Sequence, residues 1–224
     1  MKTKLINLLT ITVIIITAVS CKGEKEKTRE NSDVKEVRQT PMKALAYQVN
    51  GESSTIEWTG KKPGGQHSGT IKISSGDVAA QDGKIQSGSF VIDMLSIAVT
   101  DLEGEEKTSL EGHLKGEAKG TEDHFFNVAK FPNATFEITG IEENEGMAKI
   151  SGNLTIKGIT KNISFAATTK TNNNSMTLIS DIFTINRTDW GVNYSSKSIF
   201  ENLGDKFIND DIELKVSIVA NPTS

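Results

Sequence analysis

The chain of 224 residues reads as an all-β domain, a closed antiparallel barrel or a sandwich, and three observations predict it. From Tyr47 onward, apolar and polar residues alternate with a period of two over about eight segments, the pattern of strands with one buried and one wet face. Short turn signals separate those segments: Gly64-Gly65, Gly76-Asp77, Asp82-Gly83, Gly140, Glu145-Gly146 and Asn172-Asn173-Asn174. Thr, Ser, Ile and Gly dilute the helix formers throughout. There is one cysteine, so no intramolecular disulfide can form and the domain must stand on its core, which a domain of this length can supply.

The amino terminus is different. A basic stub, Met1-Lys2-Thr3-Lys4, leads into an apolar run over residues 5–19 that is interrupted by Asn7, Thr10, Thr12 and Thr17. The run is shorter than the roughly 20 apolar residues of a membrane span and ends on the small residues Ala18 and Ser20 before Cys21. These features resemble the bacterial lipoprotein class, which implies cleavage of a signal peptide (1–20), acylation of Cys21 and anchoring to a membrane of the bacterial cell envelope, periplasm-facing or at the surface. Two acyl chains on Cys21 would hold firmly where one binds only marginally. Residues 22–42 mix charges and are poor in apolar side chains, so 21–45 is expected to be a flexible charged tether ahead of a domain over 46–224.

Along the domain, Ile56 and Trp58 alternate with Thr55, Glu57 and Thr59, and Ile71 and Ile73 with Thr70 and Lys72. Phe90, Ile92 and Met94 continue the pattern, then Ala134, Phe136 and Ile138, then Ile150, Gly152, Leu154 and Ile156. Ile163, Phe165 and Ala167 follow, then a segment around 178–185. The last strand sets Ile212, Leu214, Val216 and Ile218 against Glu213, Lys215 and Ser217. The outward set of Glu57, Lys72, Glu137, Lys157, Glu213 and Lys215 excludes a barrel spanning a membrane, because charges facing lipid cost kilocalories each. Between strands, residues 101–115 carry Leu110 and Leu114 four apart, on one helix face, with Asp101 placed as the cap and Gly116 as the stop. A second short turn is expected from Asp123 through Phe125 and Phe126 to Pro132. One or two short helices are thus expected across a rim.

Seven motifs in order resemble the YceI-like family over about Tyr47 to Ala220. They are Trp58-Thr59-Gly60-Lys61 with His67-Ser68-Gly69-Thr70; Gly88-Ser89-Phe90-Val91-Ile92-Asp93-Met94; Leu110-Glu111-Gly112-His113-Leu114-Lys115; Phe125-Phe126-Asn127-Val128-Ala129-Lys130-Phe131-Pro132; Gly152-Asn153-Leu154-Thr155-Ile156-Lys157-Gly158-Ile159-Thr160-Lys161; Arg187-Thr188-Asp189-Trp190-Gly191-Val192; and Asn202-Leu203-Gly204-Asp205. His124 departs from the family pattern. The resemblance implies a lipocalin-like, eight-stranded antiparallel β-barrel whose elongated apolar cavity binds a polyisoprenoid, such as a prenylated quinone, or another long lipid. It implies no catalytic residues and no required cofactor.

The inward set supplies the candidate cavity wall: Ile56, Trp58, Ile71, Ile73, Phe90, Ile92, Met94, Leu110, Leu114, Phe136, Ile138, Leu154, Ile156, Phe165, Leu214 and Val216. Periodicity alone leaves open whether these side chains fill the barrel or line a space, since a barrel of eight strands is wide enough for either. His67, Arg187 and Trp190 are the candidates for a mouth that meets a polar head group, against an Arg–carboxylate pair beside a packed Trp. The histidines lack zinc-motif spacing, and Asp205, Asp210 and Asp211 lack calcium-loop spacing. No Gly-x-Ser-x-Gly, His-Glu-x-x-His or phosphate-loop motif is present, which argues against an enzyme. A net charge of −4 without a basic stripe gives no nucleic-acid footprint. The expected protein is a membrane-tethered lipid binder for sequestration, transport or storage. The alternative is a non-enzymatic envelope stress or interaction scaffold with a filled barrel.

Overall fold

The structure, a computed structural model, describes residues 32–144, 147–172 and 174–223. The expected signal segment, Cys21 and the first part of the expected tether lie outside them. Ten strands are formed in chain order: β1 Leu45–Val49, β2 Thr55–Lys62, β3 Gly65–Gln81, β4 Lys84–Val99, β5 Asn133–Asn144, β6 Met147–Ile156, β7 Ile159–Asn172, β8 Ser175–Ser180, β9 Phe183–Asn186 and β10 Asp211–Pro222. One α-helix among the described residues, α1 Gly104–Lys115, joins β4 to β5.

All pairings between these ten strands are antiparallel, and the sheet closes because β10 is held on both sides. On one side it meets β2, from Ile212↔Gly60 to Ser217↔Thr55, and then β1, from Val49↔Ala220 to Tyr47↔Pro222. On the other it meets β9 and then β8. β1 with β2, and β8 with β9, are therefore each one strand broken in the middle, and ten strands fill eight positions of a closed barrel. At the first break the backbone of Val219 is satisfied by Asn50 N–H (2.8 Å) and by the Ser54 hydroxyl, which accepts from its N–H at 3.0 Å. At the second, the Ser180 hydroxyl accepts from Val216 N–H at 2.8 Å. The segment expected around 178–185 is thus two strands with a break at 181–182, not one.

The alternation holds: Ile73, Val78, Ile138, Ile150, Met176 and Leu178 are buried inside, while Glu57, Lys72 and Glu137 are exposed outside. Lys157 departs from the expected outward strand set. With Gly158 it forms the two-residue turn between β6 and β7, both at positive φ (50° and 76°), and its ammonium donates to the Asp123 carbonyl at 3.4 Å. Primed hairpin turns demand such angles, and Gly supplies one without strain.

The helix starts later than the sequence suggests. Asp101 does not cap it; its carboxylate accepts from Ser68 N–H (2.9 Å) and meets His67 Nδ1 (2.9 Å), and Glu103 occupies the cap position. Gly116 ends it in the left-handed conformation, as expected. Glu111 fixes α1 to the barrel by accepting the Val99 N–H at 2.8 Å. The second turn expected from Asp123 to Pro132 is a run of turns over residues 122–130, without an α-helix.

The larger correction concerns the tether. Residues 32–44 do not stand free but run down the outside of the barrel. Ser32 exchanges both backbone bonds with Asn162, 3.0 Å each, on a stretch of the β7 edge that β8 does not reach. Lys35 N–H donates to Asn153 Oδ1 (3.1 Å), whose Nδ2 returns a bond to Lys35 O (2.7 Å). Arg38 N–H donates to Ile138 O, at the β5 bulge, and Thr40 pairs with Ser87 near the far end of β4. Asn153 and Asn162 face outward and are nonetheless buried, because this strap covers them. Composition suggests a free chain here, but the Asn153 side-chain amide and the Asn162 backbone offer it specific partners.

Candidate functional site: an apolar cavity beneath the helix

The ends of β2, β4, β6 and β9 and the starts of β3, β5, β7 and β10 gather at one end of the barrel. Helix α1, the 122–130 turns and the 191–210 loop cover that end. Beneath them is a cavity of about 360 Å³ with an almost wholly apolar wall. This lies within the range of about 300–1,000 Å³ usual for ligand sites.

Ten of the predicted residues line it: Ile56, Trp58, Ile71, Ile92, Met94, Leu110, Leu114, Leu154, Ile156 and Leu214. The other six, Ile73, Phe90, Phe136, Ile138, Phe165 and Val216, sit deeper around a void of only about 60 Å³. Ile56, Ile92, Leu154 and Leu214 border both spaces. A run of rings, Phe90–Phe136–Phe165–Phe183, with centroids 6.3, 5.7 and 4.6 Å apart, fills this lower half and floors the upper. The barrel is hollow at the helix end and filled at the other.

The three predicted mouth residues all border the cavity, but His67 Nδ1, the Arg187 guanidinium and the Trp190 indole N–H are engaged elsewhere. His67 is held by Asp101. Burial pushes the Asp101 carboxyl up, but the Ser68 N–H and His67 outweigh it and hold the group below its ordinary value. Arg187 is 3% exposed and donates to the carbonyls of Val192 (2.6 Å), Asn209 (3.1 Å) and Ile208 (3.1 Å), with Asp210 at 3.4 Å. Burial lowers its pKa and Asp210 opposes the shift. Its carboxylate partner is thus Asp210. Trp190 is fully buried and donates its indole N–H to Leu154 O at 3.0 Å. Together these two residues close the wall between β6 and the 191–210 loop.

Sequence reasoning missed a polar cluster on the cavity wall. His113 of α1 and His124 of the following turns share a hydrogen bond, Nε2 to Nδ1, of 2.8 Å. Tyr194 stacks on His124 (4.2 Å) and meets His113 edge-on (4.8 Å), and Phe125 closes the other side of His113 at 5.2 Å. Burial, and then His124, lower the His113 pKa. The departure at His124 was the one signal of this cluster; Tyr194 sits in a loop without periodicity. Phe125, Phe126, Ile185 and Ile212 also line the cavity, and alternation around 185 and 212 could have added the last two. Trp58 Nε1 is buried and has no hydrogen-bond partner among the described residues. Those residues hold no group of three or more His, Cys, Asp or Glu side chains placed to bind a metal ion.

Known proteins share this architecture. BcnA of Burkholderia cenocepacia superposes with a TM-score of 0.59 at 19% identity, over 77% of this chain and 99% of that one. A polyisoprenoid binding domain from Saccharophagus degradans, implicated in plant cell wall breakdown, superposes at 0.57 and 14% identity, over 80% and 99%. At these identities the likeness is one of fold. A UPF0312 protein of Yersinia pestis (strain Pestoides F) is 47% identical over 49 residues, 22% of each chain. One from Pseudomonas aeruginosa (strain LESB58) is 49% identical over 43 residues, 19% of this chain and 22% of that protein. The matched stretch spans about a fifth of the length of these curated relatives. Over the domain as a whole, the YceI-like domain matches residues 47–220, and the chain belongs to that family.

Proposed function

We propose that this protein binds one long apolar lipid, of the polyisoprenoid kind, in the cavity beneath α1, while an acylated Cys21 holds it on a membrane of the bacterial envelope. The observation that carries the reading is the cavity itself: the barrel leaves about 360 Å³ unfilled at one end and surrounds it with aliphatic and aromatic side chains. A ligand there gains roughly 25 cal/mol per Å² of apolar surface removed from water. The wall provides few polar contacts, so affinity follows chain length more than head group. The polyisoprenoid named for the Saccharophagus domain supports this ligand class. The role is capture, storage or delivery of the lipid, without chemistry on it.

The test is mass spectrometry of organic extracts from the mature protein purified from a bacterial envelope. A stoichiometric isoprenoid or other long-chain lipid is the expected result. Repeated extracts without lipid, and no uptake of prenylated quinone from vesicles, would overturn the reading. Replacing Cys21 with Ser should release the protein from the membrane fraction and leave lipid uptake unchanged.

A further inference from the structure

The strap over residues 32–40 carries the start of the folded domain to the cavity end. Ser32 is bonded to Asn162, three residues into β7, which places it about 10 Å along the strand from the mouth. From Asn162 to the closed end of the same strand at Asn172 is about 33 Å. Cys21 precedes Ser32 by 11 residues, which span at most about 40 Å when fully extended. Because barrel strands tilt by about 35–45°, that path rises about 25 Å along the barrel axis, and with the closed end against a membrane an anchored chain would need well over half of its full reach. With the mouth against it, the chain spans the gap at a fraction of full extension. Without the strap, the domain would begin at Leu45, at the closed end, and the geometry would favour the opposite pose.

The mouth end also carries apolar side chains facing solvent. Ile199 and Phe200 are adjacent and about half exposed, on the loop whose Tyr194 and Ile208 line the cavity. That loop is tied to the end of β2 by Asn209 N–H donating to Lys61 O at 2.8 Å. Ile159, in the neighbouring β6–β7 hairpin, is 40% exposed and lies beside Gly191. Lys197 and Lys206 flank the pair, and Glu201 and Asp205 balance them. On this loop the two exposed lysines and two exposed carboxylates sum to zero, so the pair offers apolar contact without a net charge of its own.

We propose that the mouth end, through Ile199, Phe200 and Ile159, is a docking face for a lipid bilayer surface, with the strap setting this orientation. The proposal rests on Cys21 being the anchor. Two or three side chains at an interface adsorb weakly alone, but a short anchor raises their effective concentration at the membrane to the millimolar range. The covered end of the cavity then faces the bilayer, and a lipid entering between its covers does so without crossing water.

The test uses the mature chain from Cys21, whose single thiol is coupled to a maleimide lipid in phosphatidylcholine vesicles. The anchor is thereby supplied whatever happens in the cell. Hydrogen exchange over residues 193–207 should slow by about threefold or more on vesicles relative to the uncoupled chain, with no change at the 81–84 hairpin. Protection at that hairpin, or nowhere, would overturn the proposal. The double variant Ile199→Asp, Phe200→Asp should lose the protection while keeping its Tm, since both side chains are exposed. A Gly/Ser insertion of about 20 residues between Asn31 and Ser32 should weaken the protection, and unchanged protection would remove the strap from the explanation. Intact mass of protein taken from the envelope reads acylation separately: a missing acyl mass would sink the anchor, whereas a vesicle result without mouth protection would sink the docking face.

Discussion

His113 and His124 are 11 positions apart, on a helix and in a run of turns, and only the fold puts their rings in hydrogen-bond contact. Nothing in their spacing announces this. The contact has a pH consequence whose sign is fixed. Burial and His124 lower the His113 pKa, so the folded state holds the ring neutral where the unfolded chain, titrating near 6.5, begins to take up a proton. Stability is therefore complete above about pH 6.5 and falls as pH drops from there toward the lowered value. Tm measured between pH 7.5 and 5 should decline, and His113→Gln should flatten that decline. Trp58 makes a second point at this scale. Its place on the inner face is legible from alternation, but its unpartnered N–H is not. Trp58→Phe removes the donor and keeps the ring. Uptake of a lipid with a carbonyl head group should weaken by up to about tenfold relative to a plain hydrocarbon chain, measured by competition.

Among the elements, strands were the most legible, because a period of two is imposed by burial on one face. Their breaks were not, since Ser54 and Ser180 satisfy the interrupted ladder through side chains that read as ordinary polar residues. The helix end at Gly116 was readable from its residue type, whereas its start was not, because Asp101 bonds to β3 instead of to α1. Two glycines within strands report close approach. A Cβ at Gly152 would collide with the Phe136 ring and come within 2.8 Å of Glu137 O; one at Gly69 would come within 2.7 Å of the Trp58 ring. Gly152→Ala and Gly69→Ala should each destabilise by about 1–3 kcal/mol or more, read in urea denaturation, although both add only a methyl group.

For the whole molecule, periodicity could name the inner face of the barrel but not say which half is empty. That division depends on residue size and on covers drawn from irregular segments: small Ala134 and the helix side chains leave room at one end, and four phenylalanines occupy the other. The floor sets a limit on ligand length. Phe136→Ala should join the two spaces and shift the bound lipids toward longer chains by mass spectrometry. It should also lower stability by about 3–5 kcal/mol.

Closure of the barrel depends on β10, which pairs with β1, β2, β8 and β9. It is the last strand in chain order, and its partners β1 and β2 are among the first. Until it arrives, both halves of the seam are raw edges and the interior lies open along its length. Folding must therefore wait for nearly the whole domain to be made, and contacts this distant in sequence form slowly. β10 is thus a timing element as well as a wall: the cavity exists only after the final seam is sewn.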